Sequence, residues 1–470
     1  MSEVDDHLVW DLLLPPSEHG ADERRVVRAQ GHRLTFADGA EVLDATSGLW
    51  NANLGYGNRA IAQAVADATL DASYMGTFRR THDYARDAAR ALVEAAGPDR
   101  YARVLYSTSG SSANDVAMKM VRQYAHLRGE PDRKLVIGLH GSYHGQTYGG
   151  FALSGEDFQK PMYGADTRLV RHVGHKDPQE LARLLEECGS QVAAVVVEPV
   201  LGTGSLALGP ELVKALVTLR HEHGYLLVCD EVATGFGRTG TLFASELWPE
   251  SPDLLLTSKG LTNGTCAASA ILVAHRVWEE FARHNATLIH GETQAGTPAS
   301  CAAILATLRQ IEELDALTTA RRNGRLLAEG LADLVDRADL AAEATGVGCF
   351  QALHLRTPNG TVFWQPHVMQ LIDAVRARGA LVYPGPSCVQ LFPALTWSEA
   401  EVRELLRALE AGLDDLGAGV HLVDGLGEDR LDGEFGDEGA DGVVGRGLAD
   451  GVEVVGGGPV GAPGVLHALA

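Results

Sequence analysis

Between residues 100 and 275, short β-rich apolar runs alternate with stretches of helical spacing. The runs are Val104-Leu105-Tyr106, Leu135-Val136-Ile137, Ala193 to Val197, Tyr225 to Cys229, Leu254 to Leu256 and Ala270 to Val273. Between them, Ser112 to Leu127, Pro178 to Cys188 and Glu211 to His223 carry apolar residues at helical intervals, and Ser111 and Ser112 read as the cap that opens the first. Strand and helix in alternation wind βαβ units into a mostly parallel sheet, so the expectation is a doubly wound α/β core. After Pro298 come long Ala/Leu/Arg helices to about Glu329, a mixed stretch around Gly346 to Phe350, another helix and the strand-like Leu381-Val382-Tyr383, a second, smaller α+β domain. The N-terminal pieces Arg33 to Phe36 and Val42 to Asp44 are too short to fold alone and are expected to pack on that domain. The division predicted is an N-terminal segment 1–55, a large domain 56–297, a small domain 298–416 and a tail 417–470.

Composition narrows the partners. With 39 basic and 62 acidic residues the net charge is −23, which repels a nucleic-acid backbone and an anionic membrane surface alike. The six cysteines form no CxxC pair, suiting reduced thiols better than disulfides or zinc. No run approaches the roughly 18 apolar residues of a membrane span, and the acidic N-terminus lacks the form of a signal peptide. A soluble, cytoplasmic protein is expected. From Gly417 to Ala470 there are 16 glycines, 10 acids and two bases without helical or strand period, which reads as a flexible acidic extension.

Ligands of open α/β sheets sit beyond the carboxyl ends of the strands, so the residues that follow each run carry the chemistry. After the first comes Ser107-Thr108-Ser109-Gly110-Ser111-Ser112-Ala113-Asn114-Asp115, small residues running into a helix: either a phosphate cradle or a plain capped start. After the second, His140 and His144 are four apart, but Gly141 and Gly145 oppose a continuous helix and no third ligand is near, which disfavours a metal. Tyr143 in the same glycine-flanked loop can lie flat on a heteroaromatic ring or simply pack. Asp230-Glu231 ends the fourth run, and a partly buried aspartate there needs either a salt-bridge partner or a protonated ring nitrogen. Lys259 follows the fifth; it is one of only six lysines, and burial would make it an imine-forming nucleophile. Gly235-Phe236-Gly237-Arg238-Thr239-Gly240 matches GxGxxG, yet it starts too far past its strand and opens no clear helix, so a dinucleotide site is a weak rival.

Together these are the parts of a pyridoxal phosphate (PLP) site. The stretch Asp230 to Gly240, with Pro252-Asp253 and Ser258-Lys259-Gly260, closely resembles the motif of class III (omega) aminotransferases of PLP fold type I. Further matches are Ser47 to Asn51, Ser109 to Asp115, Tyr143-His144-Gly145, Glu198-Pro199, and His290 to Pro298 followed by Cys301-Ala302-Ala303. The resemblance implies that Lys259 forms the internal aldimine and shuttles the proton, and that Asp230 pairs with the pyridinium nitrogen. It implies phosphate binding by Gly110 and Ser111, stacking by Tyr143, and a cofactor shell that also takes in Ser109, His144, Glu198 and Val232. Thr293 falls where the family places a phosphate ligand from the neighbouring subunit, implying a homodimer with composite sites, and Trp50 matches a substrate-pocket aromatic.

The implied activity is ping-pong transfer of an amino group from an amino donor to an aldehyde or ketone; an aminomutase, epimerase or decarboxylase is the rival within the fold. Four positions depart from the family pattern. Ala233 replaces a frequent Gln, Thr203 a Glu of ornithine-type members, Gln390 stands where many members have the arginine that grips the substrate carboxylate, and Tyr383 lies near the place of the mobile arginine of omega-amine members. A neutral amide does not replace a bidentate guanidinium. Either Arg79, Arg80 or another base supplies the grip, or the acceptor has no free α-carboxylate, as in a bulky aldehyde, a ketone or a modified peptide end.

Overall fold

A computed structural model describes residues 7–357, 360, 363 and 365–419. Seven strands form the central sheet: β4 (Tyr101–Ser107), β5 (Leu135–Leu139), β6 (Val170–Val173), β7 (Val192–Val197), β10 (Leu226–Asp230), β11 (Leu254–Thr257) and β12 (Ser269–Ala274). Their spatial order is β4-β12-β11-β10-β7-β5-β6, with β12 antiparallel to both neighbours and every other pairing parallel. All residues of β5, β7, β10 and β11 are buried, as continuous Val/Leu/Ile runs require when helices cover both faces. Val170-Arg171-His172-Val173 forms the edge strand β6, buried only at its two ends, and the adjacent polar pair Arg171-His172 hid it from the sequence reading.

The helices Pro178–Cys188 and Pro210–His223 fall where the spacing places them. The helix after β4 runs from Gly110 to Leu127, and its cap is Ser109, not Ser111 or Ser112: Ser109 Oγ accepts from the Ser112 N–H at 3.1 Å, and its extended backbone marks the boundary. Three nearby serines are equally good caps by type, and only the backbone decides between them.

The C-terminal part holds two long helices, Pro298–Glu313 and Ala316–Arg337, and a sheet of order β13 (Ala341–Val347), β14 (Phe350–Leu355), β17 (Cys388–Leu391), β16 (Tyr383–Pro384). The N-terminal strands β1 (Val26–Gln30), β2 (Arg33–Phe36) and β3 (Glu41–Asp44) continue into β15 (Ala380–Leu381), with Leu43 opposite Ala380. Arg33 pairs with Glu404 at 2.8 Å and His32 reaches Glu401 at the same distance, so the N-terminal segment is tied to the last helix, Glu399–Gly419. A two-strand hairpin, β8 (Val200–Leu201) and β9 (Leu206–Ala207), lies between the two parts. The extension expected from residue 417 begins within a helix as far as Gly419, and residues 420–470 lie outside the described part. Among the described residues no helix is long and apolar enough to cross a membrane.

Candidate active site

β4, β5, β7, β10 and β11 are mutually parallel, so the residues after them emerge along one edge of the sheet, joined there by the antiparallel start of β12. A cavity of about 360 Å³ opens at that edge. Depressions of about 580 and 390 Å³ lie elsewhere, so size does not single out the site. The convergence of strand ends does. Ser109, Gly110 and Ser111 enter the wall from β4, Tyr143 and His144 from β5, Glu198 from β7, Asp230 and Val232 from β10, and Lys259 from β11, while Trp50 and Tyr383 come from the outer segments.

Asp230 is 3% exposed and, among the described residues, has no lysine or arginine partner. Its Oδ2 takes His144 Nδ1 at 2.8 Å and the Asn114 amide at 2.7 Å; its Oδ1 takes only the Val232 N–H, at 3.1 Å. The structural partner of this aspartate is thus the His144 imidazole and not a lysine or arginine, and Oδ1 keeps lone-pair capacity for a cationic N–H from the cavity. Glu231, the next residue, is a different kind of group, closed off by Ala244, Ser245 and Thr234.

Lys259 sits in a left-handed conformation, φ 45°, with its Nζ 4.2 Å from the centroid of the Trp50 ring. Part of its side chain still faces the cavity, yet desolvation outweighs the nearby Glu198 and Asp230 charges and lowers its pKa to about 8. Burial likewise raises Glu198 to about 7. The Glu198 carboxylate accepts from the Tyr143 N–H at 2.8 Å and the Gly202 N–H at 3.1 Å, fixing the Tyr143 loop against the β8–β9 hairpin.

Three predicted residues are not brought to this wall. Arg79 is exposed, on the 72–81 segment, as is its neighbour Arg80. Thr293 is exposed; its carbonyl accepts from the Tyr74 hydroxyl, and its neighbour Glu292 is bound to Ser107 and Thr108. Gln390 is buried, with its amide committed to the Gly202 carbonyl at 2.7 Å and Ser205 Oγ at 3.1 Å. Residues that sequence reasoning missed include Asn114, whose position five residues into a capped helix gave no separate signal, and Asn51, Thr262 and Cys266 in connecting turns. The histidine pair separates: His144 binds Asp230, while exposed His140 lies with its ring tilted against that of His172, centroids 5.7 Å apart. Gly235 to Gly240 wraps the fully buried Arg238, whose guanidinium reaches Asn53 Oδ1 and the Pro393 carbonyl, so this loop joins three parts of the chain.

These groups fit PLP. The first two N–H groups of the Gly110–Leu127 helix, on Gly110 and Ser111, have no acceptor within the helix and suit an anion. The buried His144 Nε2, Asn114 Oδ1 and Trp50 Nε1 find no partner among the described residues, as expected of polar atoms that line a ligand site. Asp230 offers its carboxylate to a ring cation, and Lys259 is depressed toward the neutral amine that attacks a carbonyl.

Comparison with known proteins gives the same reading. The model of the family "Aminotransferase class-III" matches residues 17–413. The chain is 31% identical over 373 residues to putrescine–pyruvate aminotransferase of Pseudomonas aeruginosa, covering 73% of this chain and 81% of that one. It is 32% identical over 432 residues to diaminobutyrate–2-oxoglutarate transaminase of Halomonas elongata, covering 84% and 91%. Its fold superposes with a TM-score of 0.80 on an amine transaminase from an uncultivated Pseudomonas species in its PLP-bound form, at 30% identity and covering 87% of this chain and 100% of that one. The chain belongs to the class III aminotransferases, omega-type enzymes of PLP fold type I that use pyridoxal phosphate to move an amino group from a donor to a carbonyl acceptor.

Proposed function

We propose that this aminotransferase acts on amines and carbonyl compounds without a free carboxylate. The observation that carries the reading is the cavity wall itself: among the described lining residues Lys259 is the only Lys or Arg, Glu198 and Asp230 are acids, and Trp50, Tyr143 and Tyr383 are aromatic. A substrate carboxylate would meet no guanidinium there, and the buried amide of Gln390 is already engaged. Putrescine, the amine in one relative's name, fits this class as a donor, whereas pyruvate, the other substrate in that name, carries an α-carboxylate, so the proposed acceptor differs from that relative's. A bulky aldehyde, a ketone or a peptide-end carbonyl fits it as an acceptor.

PLP supplies an electron sink through its protonated ring nitrogen. The chain's own residues do the rest. Asp230, oriented by His144 and Asn114, would hold the ring proton; Lys259 would anchor the group and serve as the base that moves the proton; Gly110 and Ser111 would hold the phosphate; and Tyr143, braced by Glu198, would pack against the ring. The site works in a homodimer, with Thr293 donated across the interface, a reading supported by the exposure of Thr293, which does not line its own chain's cavity. Six free cysteines, four of them buried, support a reducing, cytoplasmic setting.

The test is kcat/KM over a panel of donors and acceptors. The reading predicts putrescine or an arylalkylamine well above ornithine, N-acetylornithine and 4-aminobutyrate, with Arg79→Ala unchanged on all of them. Equal activity on the carboxylate-bearing donors, lost in Arg79→Ala, would replace it with an arginine-gripped amino acid.

A further inference from the structure

Trp50 is presented by a turn that bulky residues do not adopt freely. φ is 48° at Ser47, 71° at Gly48 and 62° at Trp50, the left-handed region in which a side chain crowds its own backbone. A Cβ on Gly48 would lie 2.8 Å from Asn51 Oδ1, so a side chain there adds crowding against Asn51 to the strain of the left-handed backbone. Such a segment relaxes unless its surroundings over-determine it.

The group that holds it is Asp44, the last residue of β3 and 2% exposed. Its Oδ1 accepts from the Thr46 N–H at 2.8 Å and the Thr46 hydroxyl at 2.6 Å; its Oδ2 accepts from the Gly48 N–H at 3.0 Å and the Tyr56 hydroxyl at 2.5 Å. Four donors converge, which only an ionised carboxylate satisfies together. Burial and the Asp44 charge raise the Tyr56 pKa well above the usual tyrosine range, so Tyr56 remains a donor. The Ser47 hydroxyl donates to the Phe392 carbonyl at 2.5 Å, pinning the same turn to the aromatic wall. In that wall Trp50 stacks on Phe392 at 4.3 Å and meets Tyr383 edge-on at 5.2 Å, with Lys259 Nζ over its ring.

We propose that Asp44 is a positioning residue of the active site: its carboxylate holds the 46–50 turn in its left-handed form, setting how far Trp50 reaches over Lys259 and so the size of amine the pocket admits. This rests on Trp50 being a wall of the substrate pocket, which Trp50→Ala tests by itself. Nothing about carboxylate recognition enters.

The experiment uses the full-length, cofactor-loaded enzyme and the variants Asp44→Asn and Tyr56→Phe, each alone and combined with Trp50→Ala. Two quantities are read: the kcat/KM ratio of an arylalkylamine to a small alkylamine, and hydrogen exchange over residues 45–52. The amide of Asp44→Asn sets an N–H group against existing donors, so the ratio is expected to shift by about tenfold or more, as a misplaced wall of order 1 Å would cause. Exchange over 45–52 accelerates while the visible cofactor band is kept. Tyr56→Phe shifts both in the same direction by less, and decides the matter if Asp44→Asn does not fold. In the Trp50→Ala background neither variant changes the ratio further. The proposal is overturned if the ratio shifts equally with and without Trp50, which marks a general effect on the fold, or if ratio and exchange stay at wild-type values. A Trp50→Ala enzyme with an unaltered ratio overturns it through the reading of Trp50 instead, and the exchange data then still report whether Asp44 holds the turn.

Discussion

At the scale of single residues, the site rests on two groups whose surroundings oppose their charge or fix it. Asp230 is held by three donors and keeps lone-pair capacity on Oδ1, so Asp230→Asn removes the charge and sets an amide N–H against one of those donors. A loss of about 10²–10³ in kcat is expected, the usual scale for one preorganised electrostatic partner, together with a lower melting temperature; single-turnover kinetics check the first and thermal melts the second. Glu198 is titratable in the working range. The folded, cofactor-free protein holds its proton up to about pH 7 against an ordinary 4.5, so between those values the native state binds more protons than the unfolded chain. Stability contributed by this group is therefore full below pH 4.5 and is lost as pH rises to 7. Relative to Glu198→Gln, the unfolding free energy of the wild type should fall by about 3 kcal/mol across that window. Denaturant melts at pH 4.5 and 7.5 measure it, and a constant difference contradicts the assignment.

At the scale of elements, the cradle depends on a close approach between two segments that follow different strands. Gly145, after β5, has φ 111°, and a Cβ there would lie 2.1 Å from Ser111 Oγ at the start of the Gly110–Leu127 helix. Gly145→Ala should push that helix end outward and weaken cofactor binding by about tenfold or more, at a cost of about 1–3 kcal/mol in stability. Titration of the cofactor-free protein with PLP reads the first effect and thermal melts the second. This geometry explains how much was legible beforehand. Buried parallel strands write themselves as apolar runs, and their ends must converge, so Lys259, Asp230 and the Ser109 to Ser111 turn could be found without coordinates. Features set by backbone angle or by hairpin contacts could not: the Ser109 cap, the left-handed turn behind Asp44, and the capture of Gln390 by Gly202 and Ser205 leave no periodic trace. The edge strand β6 was missed because it is four residues long with an adjacent polar pair, Arg171-His172, in its middle, which breaks both the apolar run and the period of two.

At the scale of the whole molecule, a composite site makes a directional prediction. A mixture of Lys259→Ala and Thr293→Ala subunits forms hybrids in which the Thr293→Ala subunit keeps its own Lys259 and receives an intact Thr293 from its partner. Activity should reappear on mixing after dissociation and reassembly, although each variant alone is impaired; if Thr293 serves its own chain, no intact site forms and mixing restores nothing. The central claim, that this chain binds PLP through Lys259 and passes an amino group through it, is tested most directly by the visible spectrum of the purified protein, recorded before and after adding putrescine or an arylalkylamine and again after a carbonyl acceptor. The account predicts a visible band that is absent in Lys259→Ala, bleaches with the amine and returns with the acceptor. A protein that shows no band even with added PLP, or a band that Lys259→Ala retains unchanged, would contradict it.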